Sequence, residues 1–170
     1  MSRFKLFAFI ALIALAFAVT LVGDALAGEK VKCRVVGYTV KWEQVEVGDQ
    51  EGHVVAVAEA KGINSTILGK TMPDGMLYRL PCLLDINLKT GVGSLVVGYS
   101  EFTDRDGDKI IHKVTGKYPG GGKAAEGEWT CIKGTGKFEG MQGKGTWLGH
   151  DLTPTQWYVD WEGEVELPQK

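Results

Sequence analysis

The chain has 170 residues, a formal net charge of −2 and 44% hydrophobic residues. That length suits one domain with a core of its own. A charge so near balance gives no electrostatic case for nucleic acid or an anionic membrane as a partner.

The first segment reads as an export leader. Arg3 and Lys5 give a positive start, Leu6 to Val22 is an unbroken run of apolar and small residues, and Ala25-Leu26-Ala27 offers a small-x-small cleavage site. The expectation is cleavage after Ala27, a secreted or periplasmic product spanning residues 28–170, and no stable membrane insertion afterwards. The rival reading is an uncleaved anchor, because the run approaches the ~20 residues that cross a bilayer. The site carries no cysteine for lipid attachment. Loss of Arg3, Lys5 and Asp24 makes the remainder one unit more negative.

Beyond Ala27 no helical periodicity emerges. Glycines and prolines break the chain repeatedly, and between the breaks apolar residues recur at every second position, the mark of strands. Val36, Tyr38, Val40 and Trp42 alternate with Gly37, Thr39 and Lys41. His53 to Ala60 is a second strand, and Ile63 to Lys70 a short third. Tyr78, Leu80, Cys82, Leu84, Ile86 and Leu88 share one face of a fourth. Val92 to Phe102, Lys109 to Lys117, Glu126 to Gly136 and Lys144 to Leu148 follow. Thr155 to Leu167 closes the series, with Trp157, Val159, Trp161, Val165 and Leu167 on one face and carboxylates on the other. Asp-Gly in Asp104–Asp108 marks a hairpin tip. Eight or nine antiparallel strands with short loops must hide their edges. A closed, calycin-like eight-stranded antiparallel β-barrel does so, and a two-sheet sandwich is the alternative.

Lys133 to Trp147 reads K-G-T-G-K-F-E-G-M-Q-G-K-G-T-W, a strand running into a glycine-rich turn with Phe138 between the glycines. No helix pattern follows, so a phosphate loop is excluded. The segment resembles the G-[TS]-G-x-F-x-G-x-x-G signature of the allene oxide cyclase and dirigent barrels. Gly134, Thr135, Gly136, Phe138, Gly140 and Gly143 match it. The resemblance implies an eight-stranded barrel with an apolar cavity, often trimeric, in a superfamily whose members cyclise a fatty-acid epoxide or steer coupling reactions. It places no catalytic position on this chain.

The residues themselves nominate a few chemical groups. Glu101 shares a parity with Leu95, Val97 and Tyr99, so an interior face there makes it a buried acid or base. The plain alternative is a solvated end of the strand, and Glu59 has the same ambiguity. His112 faces inward if Ile110 and Val114 do; the plain alternative is a rim histidine. Arg79 takes an outward parity, as do Glu126 and Glu128 if Trp129 and Cys131 point inward. Tyr38, Trp42, Tyr78, Trp157 and Trp161 fall on the expected interior face, as ligand walls or as core filling. Asp104, Asp106 and Asp108 lack the glycine and glutamate spacing of a calcium loop. His53, His112 and His150 are not at metal-ligand spacing, and Cys33, Cys82 and Cys131 form no C-x-x-C pair. Export permits one disulfide among the three, and burial as small apolar residues is the alternative. Asn64-Ser65-Thr66 matches the glycosylation acceptor pattern.

No nucleophile elbow, metal set or nucleotide motif is present, so no metal and no cofactor are expected. Three functions fit. The first is an exported carrier of a small apolar or aromatic molecule. The second is a cofactor-free isomerase or cyclase using Glu101 or His112. The third is a structural envelope module with a filled barrel.

Overall fold

The computed structural model describes residues 28–168, so the expected leader and its cleavage site after Ala27 lie outside the described residues. Alternation of apolar and polar side chains produces eight strands there: β1 (Glu29–Glu46), β2 (His53–Leu68), β3 (Leu77–Asn87), β4 (Val92–Thr103), β5 (Lys109–Pro119), β6 (Ala125–Gly134), β7 (Gln142–Asp151) and β8 (Gln156–Glu166). A single 3-10 turn, Gly136–Phe138, precedes β7. Each strand pairs antiparallel with its sequence neighbour, and β8 pairs back with β1, closing the barrel expected from the sequence. Closure leaves the paired strands without an edge. The stretch read as a separate third strand, Ile63 to Lys70, is instead, as far as Leu68, the second half of β2, which runs on through Gly62.

Four β-bulges break the register, at Val40, Ile67, Val96 and Ile132, and two of them reset the faces of residues nominated from sequence. In β1 the register slips at Val40, so Cys33, Val35, Gly37 and Thr39 point in before it and Trp42 after it. In β4 it slips at Val96, so Leu95 points in before it and Gly98, Ser100 and Phe102 after it. An extra residue opposite one partner residue shifts the inside/outside alternation by one position.

The two ends differ. At one end the connection after β2 folds across the opening, and Met72, Met76, Phe138 and Met141 are all buried there. Asn64 fastens this cover. Its side-chain amide donates to the Pro73 carbonyl at 3.1 Å, and its Oδ1 accepts from the Met76 N–H at 2.5 Å. Asn64 is only 3% exposed, so the acceptor nitrogen of the Asn-Ser-Thr sequence is committed inside the folded chain. Asn64→Ala leaves the Met76 N–H without a partner and should cost about 1–3 kcal/mol. Urea unfolding measures this, with Ser65→Ala, at an exposed neighbour, as the near-neutral control.

Gly136 and Gly140 adopt positive φ, +54° and +78°, in the turn that carries Phe138 into the closed end. Gly143 and Gly145, further along the same motif, are extended strand residues of β7 rather than corner bends. Beside them, the tip Asp104–Asp108 is closed by Lys137. Its ammonium meets Asp104 and lies 2.8 Å from Asp106, so a lysine supplies the countercharge. The outward carboxylates of β8 meet cations of β1: Asp160 takes the Arg34 guanidinium through two bonds of 2.7 Å, and Glu162 takes Lys32.

Candidate functional site

The other end of the barrel is open, and a cavity of about 640 Å³ descends from it. Its walls come from the inward side chains of several strands, chiefly Ala58 and Ala60 of β2, Leu80, Cys82 and Leu84 of β3, and Trp147 of β7. Such a volume falls in the range that encloses a drug-sized molecule.

A packed layer of rings forms the floor. Phe102 is fully buried, with ring centroids 5.1 Å from Tyr78, 5.5 Å from His112 and 5.5 Å from Trp161. His112 lies 4.9 Å from Trp129. These edge-on contacts fill the closed half of the barrel, while Tyr78 and Trp161 also present surface to the cavity. Glycines make room for the large rings. Gly116 and Gly127 face each other across β5 and β6, and a Cβ on either would strike the Trp147 ring at 2.2–2.6 Å. Gly145 and Gly163 make the same room for Trp129, and Gly37 for Trp157. Inward glycines in strands are thus places where a neighbouring ring lies against the backbone.

Four of the five aromatic residues nominated from sequence, Trp42, Tyr78, Trp157 and Trp161, line the cavity. Trp42 stands at the mouth, 40% exposed, on the part of β1 that extends past its last pairing with β8 and is held by β2 alone. Tyr38 is corrected: it precedes the β1 bulge, points outward opposite Lys61 and is 52% exposed. Glu101 is corrected as well. The bulge at Val96 turns it to the outer face, where its carboxylate lies 3.0 Å from the Lys109 ammonium. Glu59 and Arg79 pair at 2.9 Å on the outside too. His112 points inward but sits beneath the floor, away from the cavity lining. Sequence reading missed Trp147, Tyr118 and Asp151. The facing glycines of β5 and β6 were the available signal for Trp147.

Burial keeps the ionisable groups in the depth of the barrel neutral. It pushes the Tyr78 and Tyr118 phenols above their usual range, and the Cys82 thiol up to about 11. The three cysteines stand as separate thiols, and Cys33, buried in the wall, is pushed up to about 12 for the same reason. The His112 imidazole is driven down to about 3 by desolvation. Its Nδ1 is 3.3 Å from the Ser100 hydroxyl, while its Nε2 and the Trp161 indole N–H have no partner among the described residues.

This histidine gives a pH prediction. In the unfolded chain its imidazole takes a proton near pH 6.5; in the folded chain it resists to about 3. The stability it permits is complete above about pH 6.5 and declines as pH falls toward 3, by up to about 1.4 kcal/mol per unit. His53 acts in the opposite sense. It sits between Asp85 at 2.7 Å and Asp49 at 2.5 Å, and these bonds raise its pKa. Its contribution is present below its unfolded value and lost as pH rises through the folded one, and solvent keeps it small. His112→Phe should therefore flatten the decline between pH 6.5 and about 4.5, above the range where carboxylates titrate. Urea midpoints across that window measure it, and an unchanged decline places its cause elsewhere.

No protein-family model matches the chain, and no curated protein matches it.

Proposed function

We propose that this protein is an exported carrier that takes a small apolar or aromatic molecule into the open end of its barrel. The observation that carries the reading is the cavity itself: about 640 Å³, walled by aliphatic and aromatic side chains, with its phenols and thiol held neutral by burial. A wall of that kind stabilises an uncharged body by removing apolar surface from water. The cyclase reading draws on Glu101 or His112, and it is weakened because Glu101 faces solvent and His112 lies under the floor. The open volume weighs against a filled structural module. Membership of the allene oxide cyclase and dirigent barrels belongs to this proposal, supported by the Gly134–Gly143 motif together with an eight-stranded closed barrel. Trimeric assembly rests on the motif resemblance alone.

Titration with the neutral probe N-phenyl-1-naphthylamine tests the reading. The probe brightens in apolar surroundings. A saturable rise at one probe per chain is the expected result, and emission that never saturates rejects a binding cavity.

A further inference from the structure

We propose that the ligand of this cavity carries a positively charged amine at its outer end, held at the mouth between the Asp151 carboxylate and the Trp157 indole. The inference rests on the carrier reading and adds the charge and orientation of what is carried.

The argument begins with where charge is missing. The depth of the cavity offers only aliphatic groups, indoles, phenols and a thiol, all uncharged at neutral pH. Two ionisable residues line its rim, His150 and Asp151. His150 stacks on Tyr158, with centroids 4.8 Å apart and planes 20° from parallel, and both residues belong to the outward set of their strands. Asp151 belongs to the inward set of β7, in step with Trp147 and Gly149.

Asp151 is also placed beside the right neighbours. It stands directly opposite Trp157 across the β7–β8 pair, so the two side chains rise from neighbouring positions at the mouth. Its charge contributes to the raised pKa of the Tyr118 phenol, behind burial and Cys82, which sets that hydroxyl near the carboxylate. A cation seated over β8 then has the Asp151 carboxylate on one side and the Trp157 ring, which lies over Gly37, on the other, and is attracted by charge and by the ring quadrupole together.

The surrounding charges leave Asp151 available. At this end Glu51 is taken by Lys89, while Asp49 and Asp85 share His53. Glu46 adds a further carboxylate where β1 ends, and Lys123 is a cation on the loop between β5 and β6. With His53 held between two acids, the mouth carries more negative than positive charge, which draws a cationic ligand and repels an anionic one. An apolar body then fills the cavity while the ammonium stays at the rim. That placement avoids the cost of burying a charge deeper down.

The test uses three probes with one hydrophobic body: 2-naphthylmethylamine, 2-naphthylmethanol and 2-naphthoate. Calorimetric titration of the purified protein at low ionic strength should rank amine above alcohol above carboxylate. The amine's advantage over the alcohol is expected to be about five- to tenfold and to shrink with added salt. Asp151→Asn should remove that advantage while leaving the alcohol within about twofold of its original affinity. Asp151→Lys should turn the preference toward the naphthoate. Lys123→Gln, a cation removed from the same end, should leave the ranking intact. Equal binding of amine and alcohol overturns the proposal, as does an Asp151→Asn variant that weakens both alike. If the alcohol binds and the amine gains nothing, the cavity reading survives and only the charge assignment fails. If none of the three binds, both fall.

Discussion

Phe102→Ala is expected to lower the free energy of unfolding by about 3–5 kcal/mol, the range for removing a large ring from a close-packed interior. Phe102 is wholly enclosed, and its ring meets Tyr78, His112 and Trp161 within 5.5 Å. Those neighbours come from β3, β5 and β8, so the ring ties together strands on different sides of the barrel. They are themselves packed and cannot collapse into the gap, which puts the expected cost toward the upper part of the range. The loss should also reach function, because Tyr78 and Trp161 are the floor of the cavity and Phe102 supports both. Urea unfolding gives the stability. Tyr99→Ala, at an outward position of the same strand that is 46% exposed, serves as the comparison and should cost far less. A similar cost at both positions contradicts the description of Phe102 as the centre of the packed half.

The second large effect concerns the cavity rather than the core. Ala58→Trp should reduce affinity for N-phenyl-1-naphthylamine at least about tenfold while changing stability by less than about 1.5 kcal/mol. Ala58 lies on the wall in the middle of β2, opposite Cys82, and its methyl group faces the open volume. An indole there occupies space that a ligand needs, and it enters a void instead of displacing packed neighbours. Most insertions into a barrel interior strain the structure. A near-neutral stability together with lost binding is therefore a signature of an open cavity. Unchanged dye binding places the dye on the outer surface, where Val55, Val57, Val96 and Tyr99 are exposed.

The contrast between the correctly and incorrectly oriented residues has a physical cause. β3, β5 and β8 keep a strict two-residue period from end to end, and β6 keeps it as far as a bulge at Ile132, so Tyr78 and Trp161 could be assigned to the inside from spacing alone, while His112 and Trp129 follow their apolar neighbours inward. β1 and β4 each contain a bulge, and a bulge adds a residue without leaving a mark in the composition. Counting through Val40 turned Tyr38 inward, and counting through Val96 did the same for Glu101. The apolar residues on the outer face made the error easy. Val36 and Tyr38 are about half exposed, while the true inward positions beside them are Gly37 and Thr39. Small residues inside and large ones outside reverse the usual pattern, because Gly37 yields its space to the Trp157 ring.

The candidate site was legible in its materials more than in its arrangement. Trp157 and Trp161 on one face of β8, and the apolar face of β3, already describe two walls of a cavity. The division of the barrel into a filled half and an open half was not readable, because it depends on rings from five strands meeting at one level. Nor could a strand-end residue such as Asp151 be told from the many surface carboxylates before β7 and β8 were placed in register.

Native mass spectrometry of the protein purified from its own host, followed by denaturation of the same sample, tests the central claim most directly. The account predicts a mass above that of the bare chain by one small molecule, released on unfolding and identifiable as an apolar or aromatic compound. A protein that flies at its bare mass from fresh host material, and takes up no apolar probe when offered one, contradicts it.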